Sequence, residues 1–131
     1  MHTSSTAAPI LLVDSDPDSL AMYASMLSFH GFDPHVCGSE DEAVAHALEC
    51  GPAVVVFGLG APGDGSMDAL RALRTHPATS HLPVLVTTTS LRAAVREAAL
   101  ELGAEALLLK PCTPTQLLAS IHEVLNAAAA F

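Results

Sequence analysis

The 131-residue chain is short of positive charge: five Lys plus Arg stand against fourteen Asp plus Glu, a formal net charge of −9 with histidine neutral. That balance repels phosphate backbones and anionic lipid, so direct nucleic-acid binding is not expected. Long apolar runs are missing as well. The longest, such as 54–57 and 106–109, fall far short of the roughly 18 residues a membrane helix requires. The opening "MHTSSTAAP" has neither a basic region nor an apolar stretch. This argues against an export signal and for a short flexible tail over residues 1–8, and a cytoplasmic protein is expected. Cysteine is scarce: Cys37, Cys50 and Cys112 are odd in number, far apart and without a C-x-x-C pair. Neither a disulfide framework nor a zinc site follows, and free thiols are expected. The histidines, at positions 2, 30, 35, 46, 76, 81 and 122, form no i, i+4 pair on one helix and no H-E-x-x-H. Metal ligation by them is not expected.

What is present is a chain half hydrophobic, enough to bury one ordinary core, so residues 9–131 are expected to make one domain. Five β-branched or leucine-rich runs, 10–13, 34–37, 53–57, 84–88 and 106–109, alternate with longer stretches of helical period. Alternation of this kind predicts βαβ units. Runs one, three and four are almost continuously apolar, as strands covered on both faces must be. The second contains Pro34, which is tolerable toward an edge.

Five amphipathic faces lie between and after these runs. Leu20, Tyr23, Ala24 and Leu27 share one, as do Ala43, Val44, Ala47 and Leu48. Met67, Leu70 and Leu73 form the third, Val95, Ala98, Ala99 and Leu102 the fourth, and Leu117, Leu118, Ile121, Val124 and Leu125 the last. Asp16-Pro17 offers an N-cap and a first-turn proline, while Gly31, Gly51 and Gly103 offer stops. Right-handed crossovers then imply a doubly wound α/β domain, a five-stranded parallel sheet with five helices, for which the order 2-1-3-4-5 is expected.

In such a sheet the functional crevice lies beyond the carboxyl ends of the strands, near the switch point between the first and third. The residues there are Asp14-Ser15-Asp16, Gly58, Thr87 to Ser90, and Lys110-Pro111. Gly58-Leu59-Gly60-Ala61-Pro62-Gly63 also spells G-x-G-x-x-G. That fingerprint belongs to a first strand with an acid at the next strand's end. Here the strand is the third, Pro62 stiffens the loop and the next strand ends in threonines, so a plain glycine-rich turn is the better reading.

The blocks "ILLVDSDPDSL", "VVVFGLGAPGDGSMDALRALR", "LPVLVTTTS" and "LLLKPCTPTQLL" resemble the receiver domain of bacterial two-component response regulators over most of the chain, from about Pro9 to Leu125. The resemblance implies a flavodoxin-like fold. It also implies a phosphoacceptor aspartate after strand three, two acids after strand one for magnesium, and a hydroxyl after strand four. A lysine before a cis-proline follows strand five, and an aromatic switch residue lies within that strand. Carried over, Asp14, Thr88 and Lys110-Pro111 match. Ser15 stands at the second acid, Gly58 at the phosphoacceptor and Leu107 at the aromatic position.

Phosphoryl transfer here needs a carboxylate nucleophile and a divalent ion, and Gly58 supplies no side chain. Only Asp14 remains as an anionic ligand at the matching positions, so magnesium binding is expected to be weak or absent. Lys110 is expected to pair with Asp14 directly or through water, because a partly buried ammonium needs a partner. The implied function is a degenerate, non-enzymatic receiver, a signalling and protein-interaction module that is independent of phosphorylation. The resemblance further implies a histidine kinase, an output domain or a second copy as partner, through the face of helix four, strand five and helix five. On this chain that face includes Arg92, Arg96, Leu107, Leu109 and Thr115. One alternative is a sensor in which the space at Gly58 and Ser15 admits a metabolite or an anion held by Lys110 and Thr88. Another is phosphorylation on a substitute residue, with Asp14 and Asp64 as the candidates; Asp64 is expected to point away from the crevice.

Overall fold

A computed structural model of the chain describes residues 7–61 and 63–129. The elements run β1 (Pro9–Val13), α1 (Pro17–Phe29), β2 (Asp33–Cys37), a 3-10 turn (Glu40–Glu42) leading into α2 (Ala43–Cys50), β3 (Val54–Leu59), α3 (Ser66–Thr75), β4 (Val84–Thr88), α4 (Ala93–Glu101), β5 (Ala106–Leu109) and α5 (Pro114–Ala129). The strands form one sheet in the order β2-β1-β3-β4-β5, and every pairing is parallel. Fold class and strand order are those expected.

Side chains alternate across the pleat, and this alternation builds two cores. Leu11, Val13, Val55, Phe57, Val84 and Val86 face the layer of α2, α3 and α4. Ile10, Leu12, Val54, Val56 and Leu85 face Leu20, Tyr23 and Leu27 of α1 and Leu117, Ile121 and Val124 of α5. Both faces of the central strands are therefore covered, which is why their sequences read as unbroken apolar runs. Removing a fully buried side chain such as Phe57 from water contributes about 1.5–3 kcal/mol.

Helix ends follow local chemistry. Asp16 caps α1: its Oδ1 accepts from the Asp18 amide at 3.2 Å and its Oδ2 from the Ser19 hydroxyl at 2.7 Å. Gly51 takes the left-handed conformation, at φ 56°, that ends α2. At α5 the Thr113 hydroxyl accepts from the Gln116 amide, and Gln116 Oε1 accepts from the Thr113 amide. This is a reciprocal capping box.

Three boundaries and one face differ from expectation. β1 and β2 each begin one residue earlier, paired as Pro9 with Asp33. Ala8, assigned to the tail by its sequence, accepts from the Asp33 amide at 2.9 Å; residues 1–6, Pro62 and the last two positions lie outside the described residues. β3 starts at Val54 and continues through Gly58 and Leu59, which pair with Thr87 and Thr88, because a ladder needs backbone rather than side chains. Leu48 is 52% exposed, while only Ala43 and Ala47 of its helix are buried. The eight-residue α2 packs through a stripe too narrow to include it. Among the described residues no helix is long and apolar enough to cross a membrane.

Candidate functional site

The parallel register places Val13 beside Phe57, so Asp14 and Gly58, one step further on, meet at the carboxyl ends of adjacent strands. Both continue the α1/α5 side of the pleat, after Leu12 and Val56. With no Cβ on Gly58, the Asp14 side chain leans across it. A Cβ there would fall 2.3 Å from Asp14 Oδ2 and 2.7 Å from its Cγ. The missing side chain and the position of the aspartate are thus one feature.

Lys110 follows Ala106 and Leu108 on the same side of β5 and donates from Nζ to Asp14 Oδ2. The side chains are 13% and 11% exposed. The second carboxylate oxygen, Oδ1, accepts from the Asp16 amide at 2.9 Å. Two strand ends 96 residues apart in sequence are joined by this direct ion pair, in a setting where removing either partner strands a charge. The Lys110-Pro111 peptide bond is cis.

Around the pair opens a crevice of about 450 Å³. Ser15 and Asp16 after β1, Leu59, Gly60 and Ala61 at the end of β3, and Pro111 and Cys112 after β5 line it. The structure brings Asp14, Ser15, Gly58, Lys110 and Pro111 to one place. Thr88 does not line the crevice; Thr89 does. Along β4 the alternation puts Thr88 on the side of Val84 and Val86. It is buried, and its hydroxyl accepts from the Ser90 amide at 3.1 Å. Asp64 stays out of the crevice too. It lies over Gly60, where a Cβ would meet its Oδ2 at 2.0 Å, and accepts from the Ser66 amide at 2.9 Å. That amide bond holds the Asp64 carboxyl below the usual range.

Tyr23 and Cys112 are among the crevice residues that escape sequence reasoning. Tyr23 carries its hydroxyl to 3.2 Å from Cys112 Sγ. Burial, and then Cys112, push its phenol up. Helical period marks Tyr23 only as core; the one usable signal is that Cys112 directly follows Lys110-Pro111. The Asp16 carboxyl is held low, first by the Ser19 hydroxyl.

A family model described as the response regulator receiver domain matches residues 10–122. The chain belongs to that family. Over 113 residues this receiver domain is 33% identical to the DNA-binding response regulator MtrA of Mycolicibacterium smegmatis, an overlap of 86% of this chain and 48% of that protein. Over 118 residues it is 31% identical to Protein PilH of Pseudomonas aeruginosa, covering 90% of this chain and 98% of PilH. It superposes on the crystal structure of a response regulator from Desulfuromonas acetoxidans with a TM-score of 0.81 and 31% identity, covering 92% and 98% of the two chains. The receiver domain spans about half the length of the MtrA proteins it matches. It is a receiver domain of two-component signalling.

Magnesium, which the family implies, does not fit the donor set here. Asp14 is engaged by an ammonium, Ser15 is uncharged and Gly58 offers no side chain. Among the described residues no group of three His, Cys, Asp or Glu side chains could hold a metal ion. A hard cation that needs carboxylate oxygens would have to displace Lys110 from a partly buried partner.

The expected contact face lies around the edge strand β5. Arg92, Arg96 and Thr115 are exposed, Leu109 is 42% exposed, and Leu107 packs half-buried against the α2–α4 core. Lys110 pairs with Asp14 and Arg71 with Asp68. Arg74 donates to the carbonyls of Leu82 and Leu102 at 2.5 and 2.8 Å. Arg92 and Arg96 are thus the two cations whose guanidinium groups have no partner among the described residues.

Proposed function

We propose that this receiver domain works without aspartyl phosphorylation, as a non-enzymatic protein-interaction module of signal transduction in the cytoplasm. The observation that carries the reading is Asp14 lying over Gly58 and paired with Lys110. The position where the family resemblance puts the phosphoacceptor has no nucleophile. The lysine that would pair with a phosphoryl group is already neutralised. Asp14 is a poor substitute, since Lys110 and the Asp16 amide engage both of its oxygens. Asp64 sits outside the crevice. Incubation with acetyl phosphate and magnesium, followed by intact-mass measurement in the cold, is expected to show no phosphate adduct; an adduct would overturn the reading.

The contact face supports the interaction half of the proposal. Arg92, the N-cap of α4, and Arg96, in its first turns, are the only Lys or Arg side chains without a partner among the described residues, on a chain of net charge −9. Leu91, which precedes Arg92 in sequence, is 77% exposed, and Leu109 at the end of β5 is 42% exposed. Arginine with exposed leucine is the composition of a contact surface. A histidine kinase, an output domain such as the one the name of MtrA implies for that protein, or a second copy would dock here. Light scattering after size exclusion, with and without Arg96→Glu, tests the self-association arm: a change of mass with Arg96→Glu supports it, and an invariant monomer removes it.

A further inference from the structure

The crevice has a chemistry beyond its ion pair. Its volume of about 450 Å³ is within the ~300–1,000 Å³ span of small-molecule pockets. Its apolar lining is built by Met22, Leu59, Ala61, Pro111 and Cys112. Met22 is 45% exposed, a large apolar side chain open to the crevice. The charged residues that line it are Asp14, Asp16 and Lys110. Lys110 and Asp14 cancel, which leaves Asp16, an exposed carboxylate that caps α1 and has no ion-pair partner among the described residues, on a chain already at −9. An anion finds no free cation there. A positively charged group finds both a local carboxylate and an attractive field.

We propose that the crevice binds a small organic cation, an ammonium or guanidinium on an apolar body, with the body against Met22 and Leu59 and the charge beside Asp16. This reverses the sign expected of an anion sensor, because Lys110 is spent on Asp14. The inference rests on the Proposed function only in that Lys110 stays on Asp14, and the two fail separately: a phosphate adduct formed without ligand decides one, ligand titration the other.

Three probes with one phenyl ring test it: phenethylamine as cation, phenethyl alcohol as neutral control and phenylacetate as anion. Each is titrated into the isotope-labelled chain near neutral pH while backbone amide signals are followed by NMR. Phenethylamine is expected to shift Ser15, Met22, Gly60 and Cys112 saturably. It should bind about threefold tighter than the alcohol, the size an exposed charge pair supports, with phenylacetate weakest. Asp16→Asn keeps an N-cap side chain and removes the charge, so it should abolish the preference for the amine and leave the affinity for the alcohol in place. Equal binding of amine and alcohol to the native chain, preference for phenylacetate, or no saturable shift at the crevice with any probe overturns the proposal.

Discussion

Two aspartates each close over a glycine near the carboxyl end of β3, and they do so on different terms. Asp14 lies over Gly58 and Asp64 over Gly60, with oxygen approaches of 2.3 and 2.0 Å to the sites where a Cβ would stand. Asp14 is buried and held by a lysine from the far edge of the sheet. Asp64 is exposed and bonds the Ser66 amide two residues on, while the Ser66 hydroxyl accepts from the Gly60 amide at 3.0 Å. The same local vacancy thus supports a long-range electrostatic joint in one case and a loop-to-helix turn in the other. Burial makes the difference: a carboxylate away from water requires a cation, whereas one in water is content with a cap.

Removing the cation should separate the two most sharply. Lys110→Met leaves Asp14 buried without its partner and is expected to cost about 3 kcal/mol in urea unfolding; a loss below ~1 kcal/mol would show that solvent already screens the pair. Gly58→Ala is next. Its methyl claims the place of Asp14 Oδ2, forces the carboxylate off Lys110, and should cost about 2 kcal/mol. Gly60→Ala asks the same of Asp64, whose free end can swing into solvent, so about 0.5–1 kcal/mol is expected, mostly the lost Ser66 cap. If the two alanine substitutions cost the same, burial is not what distinguishes the sites.

The smallest effect is on pH dependence. The folded Asp16 and Asp64 carboxyls both titrate below the ordinary value of 3.8. Each therefore holds its charge to lower pH than in the unfolded chain. Its support is complete above that value and is lost as pH falls below it. Thermal melts from pH 5 downward should show a decline that Asp64→Asn flattens slightly, because the variant lacks that support at neutral pH and converges with the native chain at low pH.

Much of this was legible in the residues alone. Apolar periods of two and 3.6, the Asp16-Pro17 start and the glycine stops carry the element order, and with right-handed crossovers they carry the sheet. The grouping of Asp14, Ser15, Gly58 and Lys110-Pro111 follows from their places at strand ends. Leu48 misled because a period marks a face without saying how wide a stripe the neighbouring layer covers. Thr88 was expected at the crevice, yet one step of the pleat turns it inward and presents Thr89.

By itself, then, the sequence determined which elements form, in what order, and that position 58 offers no nucleophile; these depend on residue identity and on neighbours within a few positions. Only the tertiary structure decided that Asp14 fills the space above Gly58, that Lys110 meets it directly, and that Tyr23 and Cys112 wall the crevice. The partners in those contacts are 44 to 96 residues apart, by subtraction of their numbers and by the pairing itself. What each side chain does there is set by the space and charge that distant strands and helices leave beside it, which no local pattern encodes.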